Sequence, residues 1–309
     1  MNIDWVTIGD PGNLAQSAAN RTHAFGTNGD GYGAVSYTFA ISRNETSIAN
    51  YAEFLNAKAT TDPYNLYNPS MASDASIAGI TRSGTSGSYS YSVSGSGDRP
   101  ITFVSWFDAA RFTNWLQNGQ GSGDTETGAY TLGGAISGTA PAKNVGATVW
   151  IPSENEWFKA AYYDPTKGAS GGYWLHANQS DAMTGNNFTT PGAANYNDGN
   201  STQAENGLPT NLSDAGAFGT DSQNYYRIND MAGNVREWND LTAVASAQRG
   251  LRGGAWSNTE TSLRSSTRNL NGPAGEGNFV GFRVATVPEP STMVLTVLFS
   301  AGMLARRKR

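Results

Sequence analysis

The period of the hydrophobic pattern changes several times along the chain, and each change marks an element. In residues 47–57 (SIANYAEFLNA), Ile48, Tyr51, Ala52 and Leu55 recur at i, i+3, i+4 and i+7, the spacing of one helix face. The run SWFDAARFTNWLQN from Ser105 places Trp106, Ala109, Thr113 and Leu116 near one face. Ser105 stands three residues before Asp108, which is capping-box spacing with Asp in place of the usual Glu. Ser153 and Glu156 form a second box, predicting a short helix with Trp157, Ala160 and Ala161 inward. Short apolar runs at 35–41, 101–104, 149–151 and 279–285 read as strands. Between them lie long Gly/Ser/Asn/Thr stretches, notably 81–98 and 118–148, which read as loops. No repeat of fixed period emerges. Residues 1–286 therefore read as one α+β domain with much irregular chain, and long loops in a compact domain usually carry function or are disordered.

Composition narrows the chemistry. Of 309 residues, 38% are hydrophobic, 11% aromatic and only 15% charged, so the core leans on Trp, Tyr and Phe. With no Cys, the chain can have no disulfide framework, iron–sulfur site, Cys-based zinc site or thiol nucleophile. Two histidines, His23 and His176, are too few for a His-rich metal site. The net charge is −5 and no basic stripe crosses the body, so no nucleic-acid partner is expected.

The two ends differ. Residues 1–20 show neither a basic start nor an apolar run, so no signal peptide is read there. At the other end, Val287-Pro288-Glu289-Pro290 precedes an uncharged, mainly apolar stretch, 291–305, and then Arg306-Arg307-Lys308-Arg309. The stretch is short for a membrane span, which needs about 17–25 residues. A basic end nevertheless fits a cytoplasmic anchor. Residues 287–309 resemble the PEP-CTERM sorting signal of biofilm-forming Gram-negative bacteria: a Pro-Glu-Pro motif, a short apolar helix and a basic end, in order. The resemblance implies export to the cell surface or extracellular matrix. It further implies transient membrane contact through the C-terminal helix and processing near Pro288–Pro290 by an exosortase-type enzyme.

Two segments of the body could carry chemistry. In residues 229–238 (NDMAGNVREW), Asp230 and Glu237 bracket a Gly-Asn turn, which can aim backbone carbonyls between two carboxylates. That is an all-oxygen donor set for a hard cation such as Ca²⁺, and it is equally the look of a solvated acidic loop. In residues 249–256 (RGLRGGAW), two adjacent glycines allow a close backbone approach or a positive φ. Arg252, Arg264 and Arg268 read as partners of carboxylates within the fold, or as contacts for an anionic ligand.

Five motifs stand in one order: 100–109 (PITFVSWFDA), 151–157 (IPSENEW), 230–238 (DMAGNVREW), 252–256 (RGGAW) and 281–285 (GFRVA). Together they resemble the sulfatase-modifying-factor, or formylglycine-generating-enzyme, superfamily. The N-terminal residues 8–13 and 45–56 resemble the subgroup that carries PEP-CTERM tails. The resemblance implies a C-type-lectin-like fold with little regular secondary structure. It also implies structural calcium, held by the side chains of Asp230 and Glu237 and the backbone oxygens of Gly233 and Val235. A second calcium site would begin at Asn195 and Tyr196. Members that make formylglycine hold copper between two cysteines just after the RGGS segment. Here Asn258 and Leu263 stand at about those positions. An amide cannot replace a thiolate as a soft ligand for Cu(I), so no copper is expected.

His176 reads as a satisfied or exposed histidine, and Trp106, Trp157, Trp238 and Trp256 read as core. Tyr89, Tyr91, Tyr130 and Trp174 could stack on a sugar or a partner. The sequence thus predicts an exported, non-catalytic surface or matrix binding module that recognises extracellular polysaccharide or a surface protein. Its alternatives are an enzyme of the same superfamily with altered, for example iron-dependent, chemistry, and a purely structural matrix protein.

Overall fold

The computed structural model describes residues 1–21, 23, 27–199 and 211–288. Its first strand, β1 (Trp5–Ile8), pairs antiparallel with β2 (Phe39–Ser42). Helix α1 (Ile48–Lys58) follows, started by Ser47, whose side chain accepts from the Asn50 amide at 3.2 Å. Its buried residues include Ile48, Tyr51, Ala52 and Leu55, the face the periodicity predicts. After a single turn, α2 (Ser70–Ser73), comes a hairpin of β3 (Ile80–Ser83) and β4 (Ser90–Val93) inside the stretch read as a loop. Only Ile80 and Tyr91 of that hairpin are buried, so its apolar signal is two residues deep.

Helix α3 (Trp106–Gln117) opens with the predicted box. Asp108 N–H donates to Ser105 Oγ at 3.1 Å, and Ser105 N–H donates to Asp108 Oδ2 at 2.8 Å. The helix is buried nearly all round, including Asp108, Arg111, Thr113 and Asn114. Its polar side chains organise the long 118–148 stretch. Arg111 grips Glu126 bidentately at 2.7 and 3.0 Å, and Asn114 Nδ2 donates to the carbonyls of Thr125 and Tyr130 at 2.8 and 2.9 Å. These bonds fix in place a loop without regular secondary structure.

The remainder runs β5 (Val149–Trp150), α4 (Glu154–Tyr162), β6 (Tyr163–Asp164), β7 (Gly172–Tyr173), β8 (Arg236–Asn239), β9 (Arg249–Arg252), β10 (Asn269–Asn271), β11 (Val280–Gly281) and β12 (Ala285–Thr286). Helix α4 also has its predicted box, with Ser153 and Glu156 bonded reciprocally at 3.3 and 2.6 Å. One sheet has the order β1-β2-β12-β5 and joins the two ends of the domain; the other has the order β10-β9-β8-β11. Pairing is antiparallel except between β11 and β8.

Three strand expectations need correction. Residues 35–41 yield only Phe39–Ser42. Residues 101–104 form no strand, because Phe103 sits at φ 55°, outside extended backbone. Residues 279–285 split into β11 and β12, because Phe282 to Val284 pass from one sheet to the other; the Phe282 carbonyl accepts from Thr46 and the Val284 carbonyl from Ser42, each at 2.8 Å. Strands β8 and β9 were not legible as strands, since nearly every residue in them is buried and neither alternates. The C-terminal apolar segment lies outside the described residues, and among those no helix is long and apolar enough to cross a membrane.

Candidate functional site

The turn before β8 is wound by left-handed residues: Asp230 at φ 55°, Gly233 at 83° and Asn234 at 58°. At Gly233 the backbone passes so close to Asn195 that an added Cβ would stand 2.2 Å from the Asn195 carbonyl oxygen. The contact is a bridge, with Asn234 N–H donating to that carbonyl at 2.8 Å. The turn therefore leads Asp230, Gly233 and Val235 into β8, which holds Glu237, and sets Asn195 against Gly233 and Asn234. Asn195 Nδ2 lies 3.1 Å from Asn234 Oδ1 and 3.0 Å from the Asn211 carbonyl. Tyr196 is buried beside it, and its backbone oxygen accepts from Asn186 Nδ2 at 3.1 Å.

Sequence reasoning missed Glu45 as a member of this cluster. Its carboxylate accepts from Asn234 Nδ2 at 3.0 Å and from Val235 N–H at 3.3 Å, across 190 residues of chain. No local pattern marks it. Glu237 is fully buried and accepts from Arg283 through both oxygens, at 2.6 and 2.5 Å, and from the Trp157 indole at 2.6 Å. Asp230 accepts from Gly216 N–H at 2.7 Å. Buried Glu45 and Glu237 and the half-buried Asp230 thus face one guanidinium. Burial raises Glu45 well above the ordinary carboxylate range, and the charges of Asp230 and Glu237 add to it. Burial likewise lifts Asp230 to about 6.

The two positions matched to the family's thiols lie further along the same wall. Asn258 Oδ1 accepts from Arg236 Nε at 2.8 Å and from Ala255 N–H at 3.1 Å, while its carbonyl accepts from Asn197 at 2.9 Å. Leu263 is fully buried. Between them a short 3-10 turn, Glu260–Leu263, carries Glu260, which pairs with Arg264 at 2.9 and 2.7 Å. His176 Nε2 lies 2.8 Å from Glu260 Oε1. Burial pushes that imidazole below its usual value, against the opposing pull of Glu260.

The remaining candidates sort cleanly. Arg252 and Arg268 both reach Glu154, so the reading of them as carboxylate partners holds, as it does for Arg264. Trp106, Trp157 and Trp238 are fully buried, and Trp256 is half-buried. Tyr91 and Tyr130 are also buried, which removes them as stacking surfaces; the Tyr91 hydroxyl donates to Ala59 and the Tyr130 hydroxyl to Asp240. Tyr89 lies under the Arg82 guanidinium and Trp174 under Lys167, so each has one face covered. Val287 is exposed and Pro288 is half-buried at the domain's end, while Glu289, Pro290, Arg306 and Arg307 lie outside the described residues.

The profile of the sulfatase-modifying factor enzyme 1-like domain matches residues 12–287. No curated protein matches the chain. Among solved structures, the crystal structure of CarF is similar with a TM-score of 0.54 at 18% identity, over 93% of this chain and 99% of that one. Treponema denticola variable protein 1 gives 0.49 at 16% identity, over 92% and 95%. PvdO from Pseudomonas aeruginosa gives 0.49 at 18% identity, over 91% and 100%. At such identity the likeness to CarF is one of fold.

Proposed function

The chain belongs to the sulfatase-modifying factor enzyme 1-like domain family, and on that premise we propose that it uses the family scaffold to bind rather than to oxidise. One observation carries the reading. At the positions matched to the copper-holding thiols stand an amide already committed to Arg236 and a buried leucine. These donors do not fit copper, which as Cu(I) takes soft sulfur ligands. The same stretch keeps half-buried Trp256 and the side chain of Arg236, groups that would suit a saccharide or a protein segment.

In this reading the module is exported and displayed at the surface or in the matrix of a Gram-negative bacterium. The tail from Val287 onward would be its sorting signal, cut by an exosortase-type enzyme after transient membrane contact. Calcium belongs to the same proposal. Asp230, with one carboxylate oxygen bonded to Gly216, and the backbone oxygens of Gly233 and Val235 would supply donors. Glu237 would share its carboxylate with Arg283. The ion would offset the negative charge that Glu45, Asp230 and Glu237 hold in excess of Arg283. A second ion beginning at Asn195 and Tyr196 would lie against the first.

An enzyme of altered, iron-dependent chemistry has one observation behind it, the His176–Glu260 contact in the loop between the two thiol positions. Glu260 is already paired with Arg264, however. Among the described residues no three His, Asp or Glu side chains converge to hold a metal, so iron lacks its side-chain ligands here and the proposed calcium would depend on backbone oxygens beside Asp230 and a carboxylate shared with Arg283. Binding is the better-supported reading. Its test is co-sedimentation of the purified chain with extracellular polysaccharide from a biofilm-forming Gram-negative bacterium, in calcium and in EDTA. Retention in calcium is expected. A chain that stays in solution with every polysaccharide and surface extract overturns the binding role.

A further inference from the structure

Arginines in this fold follow a rule. Arg111, Arg249, Arg252 and Arg283 are buried, and each faces a carboxylate: Glu126, Asp240, Glu154 and Glu237. The less buried Arg21, Arg43, Arg82, Arg99, Arg264 and Arg268 also have carboxylate partners. Only Arg227 and Arg236 have no carboxylate partner among the described residues. Arg227 is exposed, where water serves its charge, but Arg236 is half-buried. A half-buried guanidinium with no counter-charge is costly, since burial disfavours its charged form.

Its side chain is nevertheless held in place. Arg236 opens β8 opposite Val280, and its backbone N–H donates to the Phe279 carbonyl at 2.8 Å. The guanidinium stands 5.6 Å from the centre of the Phe279 ring. Its Nε edge is fixed by Asn258 Oδ1 at 2.8 Å, and that oxygen is itself positioned by the Ala255 amide. The Nη1 and Nη2 fork makes no hydrogen bond or ion pair with any described residue. Such a fork matches the two oxygens of a carboxylate or sulfate and grips them side by side. Half-buried Trp256 is linked to the same corner through its indole N–H, which donates to the Asn278 carbonyl at 3.1 Å, and Ser257 and Thr259 flank Asn258.

We propose that Arg236, braced by Asn258, is an oxyanion-binding site for an acidic polysaccharide, its free fork receiving the carboxylate of a uronate or a sulfate ester of the sugar. The inference deepens the binding reading above and rests on it. Aromatic and hydroxyl neighbours favour a sugar ring over an acidic peptide. A chain of net charge −5 has no general attraction for polyanions, so binding of one requires a local site.

The test is isothermal titration of the full chain at low ionic strength with polygalacturonate, dextran sulfate, neutral dextran and polyglutamate. Polygalacturonate or dextran sulfate is expected to bind, and whichever binds identifies the oxyanion. Arg236→Gln is expected to weaken that binding at least tenfold with an unchanged melting curve. Arg227→Gln is expected to leave it unaltered. Asn258→Asp is the second variant: it gives Arg236 an internal carboxylate, so binding falls while the fold is retained. Binding by Arg236→Gln and Asn258→Asp as tight as that of the unaltered chain overturns the site. Tighter binding of polyglutamate than of either glycan overturns the sugar assignment. If neutral polysaccharides bind and charged ones do not, the oxyanion site fails while the binding role stands.

Discussion

Arg283 closes on Glu237 with two parallel hydrogen bonds, Nη2 to Oε1 at 2.6 Å and Nε to Oε2 at 2.5 Å, and both side chains are fully buried. Removing Glu237 takes from Arg283 the carboxylate it bonds to and leaves only the charges of Glu45 and Asp230 to offset it. Glu237→Gln is expected to cost about 3–5 kcal/mol of stability by urea unfolding. A loss under about 1 kcal/mol would mean the pair is solvated.

Protons and this cluster are linked. Asp230 and Glu45 hold their protons more tightly folded than unfolded, Asp230 at about 6 against 3.8. The stability they contribute is therefore complete below the unfolded values and is lost as pH rises through the folded ones. In EDTA the chain is expected to melt higher at pH 5 than at pH 8. Asp108 and Asp240, buried and lifted to about 7, act in the same direction. Asp230→Asn is expected to flatten the pH dependence between 5 and 7. An unchanged slope in that variant would assign it to the other carboxyls.

In the proposed calcium site the ion and protons would compete for the same excess of negative charge. Added calcium is expected to raise the melting temperature more at pH 8 than at pH 5, by about 2.7 kcal/mol of stability at a hundredfold excess over its dissociation constant. Identical melting curves in calcium and in EDTA at pH 8 remove the ion from the account.

Gly233 tolerates no side chain. It sits at φ 83° with the Asn195 carbonyl oxygen 2.2 Å from where a Cβ would stand. Gly233→Ala is expected to cost about 3 kcal/mol, combining backbone strain with a forced shift of Asn195. Gly12, at φ 85° with nothing near its Cβ position, is the control and should cost about 1 kcal/mol. Equal losses at the two positions would show that the Asn195 contact is not rigid.

What could be read from the chain depended on how local its cause was. The α1 face and the Ser105 and Ser153 boxes lie within one or two turns of helix, and all three appear where the spacing puts them. The motif order pointed to the family, and Asp230, Gly233, Val235 and Glu237 follow one another through the turn into β8. Long-range partners left no trace. Glu45 reaches Val235 across 190 residues, and Arg283 finds Glu237 from the closing motif. Strands β8 and β9 hide for a related reason: sequestered on both sides, they need no alternation.

In the proposed reading this family member recognises and does not transform, because Asn258 and Leu263 stand where sulfur would be required. The direct measurement is mass spectrometry of a cysteine-containing sulfatase peptide incubated in air with the purified, copper-supplemented chain. The peptide is expected to come back unchanged, at the level of a protein-free control. Aldehyde at its cysteine, formed in proportion to the amount of protein, would contradict the account.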